Sequence, residues 1–362
     1  MQYLLPGITS FLVTIIITPI VIHFATACKC LDVPGRRHIH KKSTPLWGGM
    51  AFILGVMPVV FIFDKGSFVI SYIAASCIVV GSGIIDDCYK IGWRMKFAAN
   101  FAAVTIVIFG GHAVIHTIGT YGYFGNLELG WLSIPFTYFC IIGIINAINL
   151  IDGLNGLAGG VSLLGFLFMG TAAARADNTT VALICFAFVG ALGAFLLFNF
   201  PNARIFMGDS GSTFLGFSLS LMAVYETQAA NSTVNPMFPV LVLLLPVFDT
   251  LRVMLVRLLK RKNPFRADKG HLHHLLVRKK ISPVATVVLL WSMTAVFGGV
   301  GFLMAANTSG TDLMFALFIS LCLSLFAVTL TWRRRAPREE RVVMREVIRQ
   351  RAEVPPRNLA RQ

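Results

Sequence analysis

The sequence predicts an all-α polytopic integral membrane protein with about eleven transmembrane helices. Three observations predict this fold class: 56% of the 362 residues are hydrophobic, only 13% are charged, and the mean hydropathy is +0.76. Soluble proteins carry about 25% charged residues. The composition therefore excludes an ordinary soluble enzyme and favours a chain that lies largely in lipid.

The individual spans follow from apolar windows of about 20 residues, the length that crosses the hydrocarbon of a bilayer. Such windows begin near residues 3, 47, 68, 97, 131, 157, 180, 211, 237, 283 and 312. The first window, from Tyr3 to Ala27, is longer than the apolar part of a signal peptide and lacks a small-residue cleavage site. We expect it to stay in the mature chain.

Basic residues set the orientation of these spans. The net charge is +15, and Lys and Arg fall in alternate connections, whereas the intervening connections hold only Lys65 and Arg175. Positively charged connections stay in the cytoplasm. Because the number of crossings is odd, we expect the N-terminus outside and the C-terminus in the cytoplasm. The excess positive charge is assigned to membrane lipids and anionic ligands, with no nucleic acid as partner.

The chain divides into a transmembrane catalytic domain, residues 1–332, and a basic cytoplasmic tail, residues 333–362. The tail contains ten Arg and four Glu, with Val and Met at partial helical spacing. It either lies on anionic lipid or is a solvated, disordered tail. Seven scattered cysteines, among them the close pair Cys28 and Cys30, are interpreted as core thiols rather than metal ligands.

Candidate chemistry concentrates on the cytoplasmic side, where an acidic residue near lipid needs a partner or a function. Beyond Asp32, that side holds Asp86, Asp87, Asp152, Asp209, Asp249 and Asp268. Asp86 and Asp87 are adjacent at the end of the third span, and Lys96 follows. Neighbouring carboxylates repel unless a cation neutralises them, and Mg²⁺ prefers a few protein oxygens with phosphate and water. A solvated helix end is the alternative.

The segment NAINLIDGLNGL places Asn146, Asn149, Asp152 and Asn155 at intervals of three at the cytoplasmic end of the fifth span. Residues three apart share one side of a helix. Polar groups on one side of an apolar span are costly in lipid, so we expect them to line a polar cavity. Helix packing is the alternative role for the asparagines.

The segment NFPNARIFMGDSGS combines a lone cation, Arg204, with Gly208, Asp209 and Ser210 at a helix start. Free backbone amides and the helix dipole favour phosphate there. Asp209 would repel a bare anion, which indicates a metal ion between the carboxylate and the phosphate.

Two cationic loops complete the pattern. The longest loop between spans carries His271, His273 and His274 among Lys and Arg. Zinc is disfavoured there because no cysteine is near and residues two apart face different sides of a helix, so we expect hydrogen bonds to phosphate, with a solvated basic loop as the alternative. The first loop is a basic lid for a substrate with several phosphates, and it comprises Arg36, Arg37, His38, His40, Lys41 and Lys42.

Together these features indicate phosphoryl transfer at a membrane site, where metal and cations carry most of the catalysis. In motif order, Asp-Asp after the third span, NAINLIDGLNGL, IFMGDSGS and DKGHLHHLL resemble the polyprenyl-phosphate N-acetylhexosamine-1-phosphate transferases over nearly the whole chain. Within that family the chain is more similar to the WecA and TagO branch than to the MraY branch, whose histidine motif has three consecutive histidines.

The resemblance implies an enzyme that transfers GlcNAc-1-phosphate from UDP-GlcNAc to undecaprenyl phosphate, giving undecaprenyl-pyrophosphoryl-GlcNAc and UMP. It also implies a homodimer in the bacterial cytoplasmic (inner) membrane, with Mg²⁺ as cofactor and Mn²⁺ as the alternative ion. UDP-GalNAc, a UDP-linked bacillosamine derivative and the muramoyl-pentapeptide nucleotide remain alternative donors. The downstream glycan, such as O-antigen or teichoic acid, is left open, as is the choice between direct displacement and an aspartyl phosphate.

The residue roles that the resemblance implies are as follows. Asp209, Asn149 and Asp87 are the expected metal ligands. Asp86, Asp87, Lys96, Asp152, Asp209, His271 and His273 are the expected catalytic residues, and Lys42, Asn149, Asn155, Arg204 and His274 the expected substrate-binding residues. Two positions depart from the family pattern: Lys90 stands where a third acid is common, and Asn155 where bacterial members usually have Asp.

The alternative from another class is an ion-coupled secondary transporter, because many spans with polar residues also fit a carrier. Transporters bind their substrates near the bilayer midplane, whereas the polar clusters here lie at span ends on one side, and no inverted repeat is visible. We therefore favour the enzyme. Release of UMP from a UDP-sugar by purified protein would distinguish the two classes.

Overall fold

The structure is a computed structural model that describes residues 3–32, 43–229, 232–263, 270–306 and 310–334, with side chains up to residue 327 in the last range. The predicted substrate-binding residue Lys42 and the rest of the first basic loop from residue 36 lie outside the described residues. Asp268 and the tail beyond residue 334 also lie outside them.

The described chain is predominantly α-helical. Its helices are α1 (Leu4–Ala27), α2 (Gly48–Phe63), α3 (Ser67–Tyr89), α4 (Trp93–Phe109), α5 (Ser133–Ile151), α6 (Leu157–Arg175), α7 (Thr179–Asn199), α8 (Gly208–Thr227), α9 (Phe238–Val242), α10 (Leu244–Leu259), α11 (Leu272–Arg278), α12 (Pro283–Met304) and α13 (Thr311–Arg334). Two antiparallel ribbons accompany them, β1 (Leu31–Asp32) with β2 (Thr44–Pro45) and β3 (Thr117–Tyr121) with β4 (Gly125–Glu128).

Six helical segments are long and apolar enough to cross a membrane, which confirms a mostly helical, multi-pass membrane protein. They are Leu4–Ala27, Ser67–Tyr89, Gly130–Ile151, Leu157–Arg175, Thr179–Asn199 and Pro283–Met304. Helices also begin close to each of the other predicted span starts, but α2, α9 and α10 are short. The total of eleven spans and the orientation of the termini stay predictions.

By their packing, residues 1–318 and residues 319–362 form two units. The described part of the second unit is the C-terminal stretch of α13. The domain boundary predicted at residue 332 stays a prediction.

Helix α8 lies at the centre of the first unit. Every residue from 210 to 224 is buried, and the helix packs against α2, α3 and α5. A helix that buries its whole circumference needs small or apolar residues on every side, and the sequence GSTFLGFSLSLMAV provides them. On α3, the hydroxyl of Tyr72 lies 2.8 Å from the Ser218 hydroxyl, which satisfies both buried groups. The N-terminus of this central helix carries Asp209.

Helices α1 and α7 cross closely because both present glycine at the crossing point. A Cβ atom on Gly190 would overlap the carbonyl oxygen of Gly7 on α1. Three residues further along α7, a Cβ atom on Gly193 would meet only the ring of Phe11, at 3.8 Å. Small residues permit close backbone approach between membrane helices.

Replacing Gly190 with Ala is expected to destabilise the protein, because the added methyl group must push α1 and α7 apart. Overpacking of this kind costs about 1–3 kcal/mol. Gly193→Ala is the matched control, since it makes the same change in the same helix with room for the methyl group. Thermal unfolding in detergent should show a lower Tm for Gly190→Ala alone. Equal Tm values for the two variants would contradict the close crossing.

Candidate active site

Asp87 binds the N-terminus of α8. Its Oδ1 accepts the backbone N–H of Asp209 at 2.7 Å, and its Oδ2 accepts the backbone N–H and the hydroxyl of Ser210 at 3.3 and 2.8 Å. The first N–H groups of a helix have no partner within the helix, and a negative charge near them is favourable. The second acid of the pair therefore fixes where α8 begins, and both of its oxygens are engaged in doing so.

Small residues allow the three helices to meet at this point. A Cβ atom on Gly83 of α3 would overlap the backbone of Ser210, and one on Gly49 of α2 would overlap Gly211. At the start of α2, the N–H groups of Gly48 and Gly49 donate to the carbonyl oxygens of residues 206 and 207, each at 2.8 Å. The turn before α8 is thus held from α2 while Asp87 holds it from α3.

Lys96 lies between the first acid of the pair and Asp209. Its ammonium is 2.7 Å from Asp86 Oδ2 and also forms a short ion pair with Asp209 Oδ2. On the other side, the Asn149 amide donates to Asp209 Oδ1 at 3.4 Å and to the Ser212 hydroxyl at 2.8 Å. Asp86, Lys96, Asn149 and Asp209, which come from four helices, therefore form one cluster.

The charges in this cluster support one another. Burial alone would raise the pKa of Asp209, but the hydrogen bond and charge of Lys96 lower it below its usual value. Burial alone would lower the pKa of Lys96, but the bonds to Asp209 and Asp86 raise it. Both side chains are therefore charged at neutral pH, and a cation bridges two carboxylates.

The segment after α5 contributes a further acid. Asp152 is partly buried, and burial, with smaller contributions from the charges of Asp209 and Asp87, raises its pKa to about 7. Asp152 therefore titrates near neutral pH within electrostatic reach of the cluster. The amide of Asn155 donates to the carbonyl oxygen of Pro201 at 3.1 Å, and so ties this segment to the connection that carries the exposed Arg204.

The expected polar stripe on α5 is only partly present. Asn149 joins the cluster, and Asp152 lies near it. Asn146 is exposed and donates to the carbonyl oxygen of Ile142 in its own helix at 2.8 Å. That it lines a polar cavity stays a prediction. A polar side chain on a helix can satisfy itself locally, and spacing alone does not show this.

Asp249 binds residues 270–274, which are called the histidine segment. Its Oδ2 lies 2.9 Å from His271 Nδ1, and its Oδ1 accepts the backbone N–H of Leu272 at 2.9 Å. Arg252, one turn further along α10, donates to Asp249 Oδ1 at 2.7 Å and to the carbonyl oxygen of Gly270 at 2.5 Å. All three side chains are at least 95% buried, so this network fixes the orientation of the His271 ring.

Sequence reasoning missed the role of Asp249 and Arg252. Asp249 stood out only as one of the acids on the predicted cytoplasmic side. The available signal was an acid and a base three residues apart in an otherwise apolar helix. That spacing predicts an ion pair. The sequence does not show that residues 270–272 fold back onto the pair.

His273 is buried against the segment that follows α5. Its side chain is 1% exposed, and neither ring nitrogen bonds to another residue in the described part of the chain. A Cβ atom on Gly153 would overlap its Nε2, so the histidine segment lies directly on the Asp152 segment. The ring of His274 is 4.2 Å from the ring of His273. His273 is therefore more enclosed than His271 and His274.

Comparison with known proteins identifies the family of the chain. Residues 69–227, which include the acid pair, the α5 motif and Asp209, match the family described as glycosyl transferase family 4. A Bacillus subtilis protein named probable undecaprenyl-phosphate N-acetylglucosaminyl 1-phosphate transferase is 31% identical over 322 residues, which cover 88% of each chain. The chain belongs to glycosyl transferase family 4.

Two further relatives carry the name undecaprenyl-phosphate alpha-N-acetylglucosaminyl 1-phosphate transferase. The Salmonella typhi protein is 30% identical and the alignment covers 81% of this chain and 82% of the relative. The Escherichia coli K12 protein is 28% identical, with 75% and 76% covered. The family resemblance of the sequence motifs is confirmed, and this glycosyl transferase family 4 member is an enzyme rather than a transporter.

Replacing Asp249 with Asn should lower both stability and activity, because it leaves the buried Arg252 guanidinium without its counter-charge. Breaking a buried ion pair costs about 3–5 kcal/mol. The double variant Asp249→Leu with Arg252→Leu removes both charges, so it should recover most of the lost Tm while activity stays at least about tenfold lower, as removal of orienting partners does elsewhere. Asp177→Asn, at an exposed turn, is the control. Full activity in the double variant would contradict the orienting role.

The burial of His273 should make stability depend on pH. Burial, together with His274 and His271 and against the opposing charge of Asp249, lowers the pKa of His273 to about 3, while the unfolded chain takes up that proton near pH 6.5. The contribution of His273 to the free energy of unfolding is therefore fully present above pH 6.5. Below that pH it falls by up to about 1.4 kcal/mol per pH unit.

The measurement is the Tm of wild type and His273→Gln at several values between pH 7 and pH 5. The wild type should lose Tm more steeply than the variant as the pH falls. His116→Gln, which changes an exposed histidine, should retain the wild-type slope. Parallel curves for wild type and His273→Gln would contradict the assignment.

Proposed function

We propose that the protein transfers GlcNAc-1-phosphate from UDP-GlcNAc to undecaprenyl phosphate, forming undecaprenyl-pyrophosphoryl-GlcNAc and UMP. The observation that carries the proposal is the cluster at the N-terminus of α8, where Lys96 bridges Asp86 and Asp209 and Asp87 binds the helix. This cluster lies in a family member whose relatives are named for that reaction.

The chemistry of the donor set supports a magnesium ion at this cluster. Its side chains offer carboxylate and amide oxygens without a thiol, which suits Mg²⁺ or Mn²⁺. The Lys96 ammonium already bridges two of the carboxylates, as a cation would. Asn149 directs its amide nitrogen to Asp209 and Ser212, so its carbonyl oxygen remains for an ion. When bound, the ion neutralises charge on the pyrophosphate.

In this proposal Asp209, Asn149 and Asp86 hold the ion. Asp87 positions Asp209 instead of ligating, because both of its oxygens accept hydrogen bonds from α8. Among the described residues, no group of three or more His, Cys, Asp or Glu side chains forms a metal site by protein atoms alone. The proposed site of two carboxylates and one amide suits Mg²⁺, which usually takes only one or two carboxylates and completes its shell with water and substrate phosphate.

The reaction then needs mainly positioning and charge neutralisation. An oxygen of the lipid phosphate forms a bond to the β-phosphorus of the UDP-sugar, and the bond from that phosphorus to the bridging oxygen breaks, so that UMP leaves with the electron pair. The attacking oxygen is already anionic and needs no general base. Lys96 exchanges its carboxylate contacts for phosphate, and His271, held by Asp249, donates to the pyrophosphate.

The proposal also assigns roles to the segment after α5 and to the connection before α8. Asp152 and Asn155 line the nucleotide and sugar side, and Arg204 lies on the adjoining connection. We propose that the cluster faces the cytoplasm of a bacterial inner membrane, because UDP-sugars are cytoplasmic, and that two copies form a homodimer. The donor sugar is GlcNAc by the names of the relatives.

The test is UMP release by detergent-purified protein supplied with undecaprenyl phosphate and either UDP-GlcNAc or UDP-GalNAc, with Mg²⁺ or with EDTA. We expect UMP from UDP-GlcNAc, dependent on lipid and abolished by EDTA. Asp209→Asn should lower turnover by at least about a hundredfold, the scale of losing one stabilising group at a reacting centre. Its fold should persist, since the Asp209 side chain is 32% exposed and asparagine keeps the backbone N–H that Asp87 binds.

Asp177→Asn, far from the cluster in sequence and exposed, controls for the chemical change and should retain wild-type turnover. Wild-type UMP release by Asp209→Asn at limiting Mg²⁺ would overturn the metal assignment. Absence of UMP with both donors, from protein that unfolds cooperatively, would overturn the proposed reaction.

A further inference from the structure

Two cysteines meet beside the acid pair. The Sγ atoms of Cys30 and Cys88 lie 2.7 Å apart, although 58 positions separate them in sequence. A disulfide bond is about 2.05 Å long, so a small approach would join them. The expectation that the cysteines are core thiols is correct for the buried Cys30 and Cys185 and wrong for Cys28, Cys77 and Cys88, which are exposed.

The backbone holds both thiols in place. The N–H of Cys30 donates to the carbonyl oxygen of Ala25 at 2.9 Å, and its own carbonyl oxygen accepts the N–H of Leu46 at 3.0 Å. Cys88 lies in the last turn of α3, one residue after Asp87, and that helix end is closed by a bond from Lys90 N–H to the Asp86 carbonyl oxygen at 2.9 Å. Both cysteines therefore lie on hydrogen-bonded backbone.

The two thiols also differ in access. Cys88 is exposed, whereas Cys30 is 6% exposed and lies behind it. An incoming oxidant therefore meets Cys88 first, and Cys30 is the resolving thiol.

We propose that Cys30 and Cys88 are a redox-active dithiol, a modification site that small-molecule disulfides oxidise reversibly to an intramolecular disulfide. The Cys88 thiolate attacks one sulfur of the oxidant and releases the first small thiol. The Cys30 sulfur then gives up its proton, attacks Cys88 and releases the second small thiol. The protein loses two electrons and two protons, and the oxidant is reduced to two thiols.

The consequence is local. The bond would tie the segment after α1 to the turn of α3 that carries Asp86 and Asp87. On the cytoplasmic face proposed above, disulfides are usually transient because the compartment is reducing. The resting state there is the dithiol. The proposal concerns the chain itself and stands independently of the sugar donor.

The experiment treats full-length protein in detergent with oxidised glutathione, measures the intact mass, and then blocks the remaining thiols before digestion. An intact mass two hydrogen atoms lighter, reversed by dithiothreitol, is the expected product. Trypsin should release the peptide from Cys30 to Arg36 joined to the peptide from Gly66 to Lys90. Because the second peptide also contains Cys77, the analysis is repeated with Cys77→Ser, which should form the same link.

Cys88→Ser is the decisive variant, because the position is exposed and a serine there should not disturb folding. It should lose the linked peptide while its Tm matches that of the reduced wild type. Glutathione attached to Cys28 or Cys77 without any link between Cys30 and Cys88 would show that the oxidant had acted and would overturn the proposal. A link that persists in Cys88→Ser would overturn it as well.

Discussion

The hydrogen bonds from Asp87 to the start of α8 are the constraint on which the rest of the site depends. They hold Asp209 in the first turn of the buried helix α8, against the end of α3. A helix start buried without acceptors would be costly, so the bond is needed for folding as much as for chemistry. In the proposed mechanism, stability and catalysis therefore depend on the same contact, and the two adjacent acids have different tasks.

The division explains why two adjacent carboxylates coexist in a buried place. Asp87 has its charge met by helix amides, while Asp86 shares Lys96 with Asp209. Asp87 is therefore compensated by backbone amides, and Asp86 and Asp209 are compensated together by one ammonium. In the proposed reaction, only the Lys96 contacts are exchanged for a metal and a phosphate. Separately, Asp249 pairs with Arg252 and binds the histidine segment through His271. A fixed frame with one exchangeable cation suits transfer of a highly charged group.

Close contacts between backbones make this frame compact. Gly83 and Gly49 allow α3 and α2 to reach the start of α8, and Gly153 accepts the His273 ring. In each case a side chain would occupy the space that a functional group or a helix now fills. The glycines of the motifs therefore act through packing between elements, and the polar residues beside them act through charge.

The sequence by itself determined the class of structure, the family and most members of the cluster. Composition and apolar windows are sums over many residues, so an error at one residue does not change the fold class that they predict. Asp86, Asp209 and Lys96 are conspicuous because charge is rare in such a chain. Tertiary structure alone decided that Asp87 binds α8, that Asn146 bonds to its own helix and that Asp249 orients His271. It also decided that Cys30 meets Cys88. These are contacts between distant segments, and spacing along one helix carries no information about which segment folds against it.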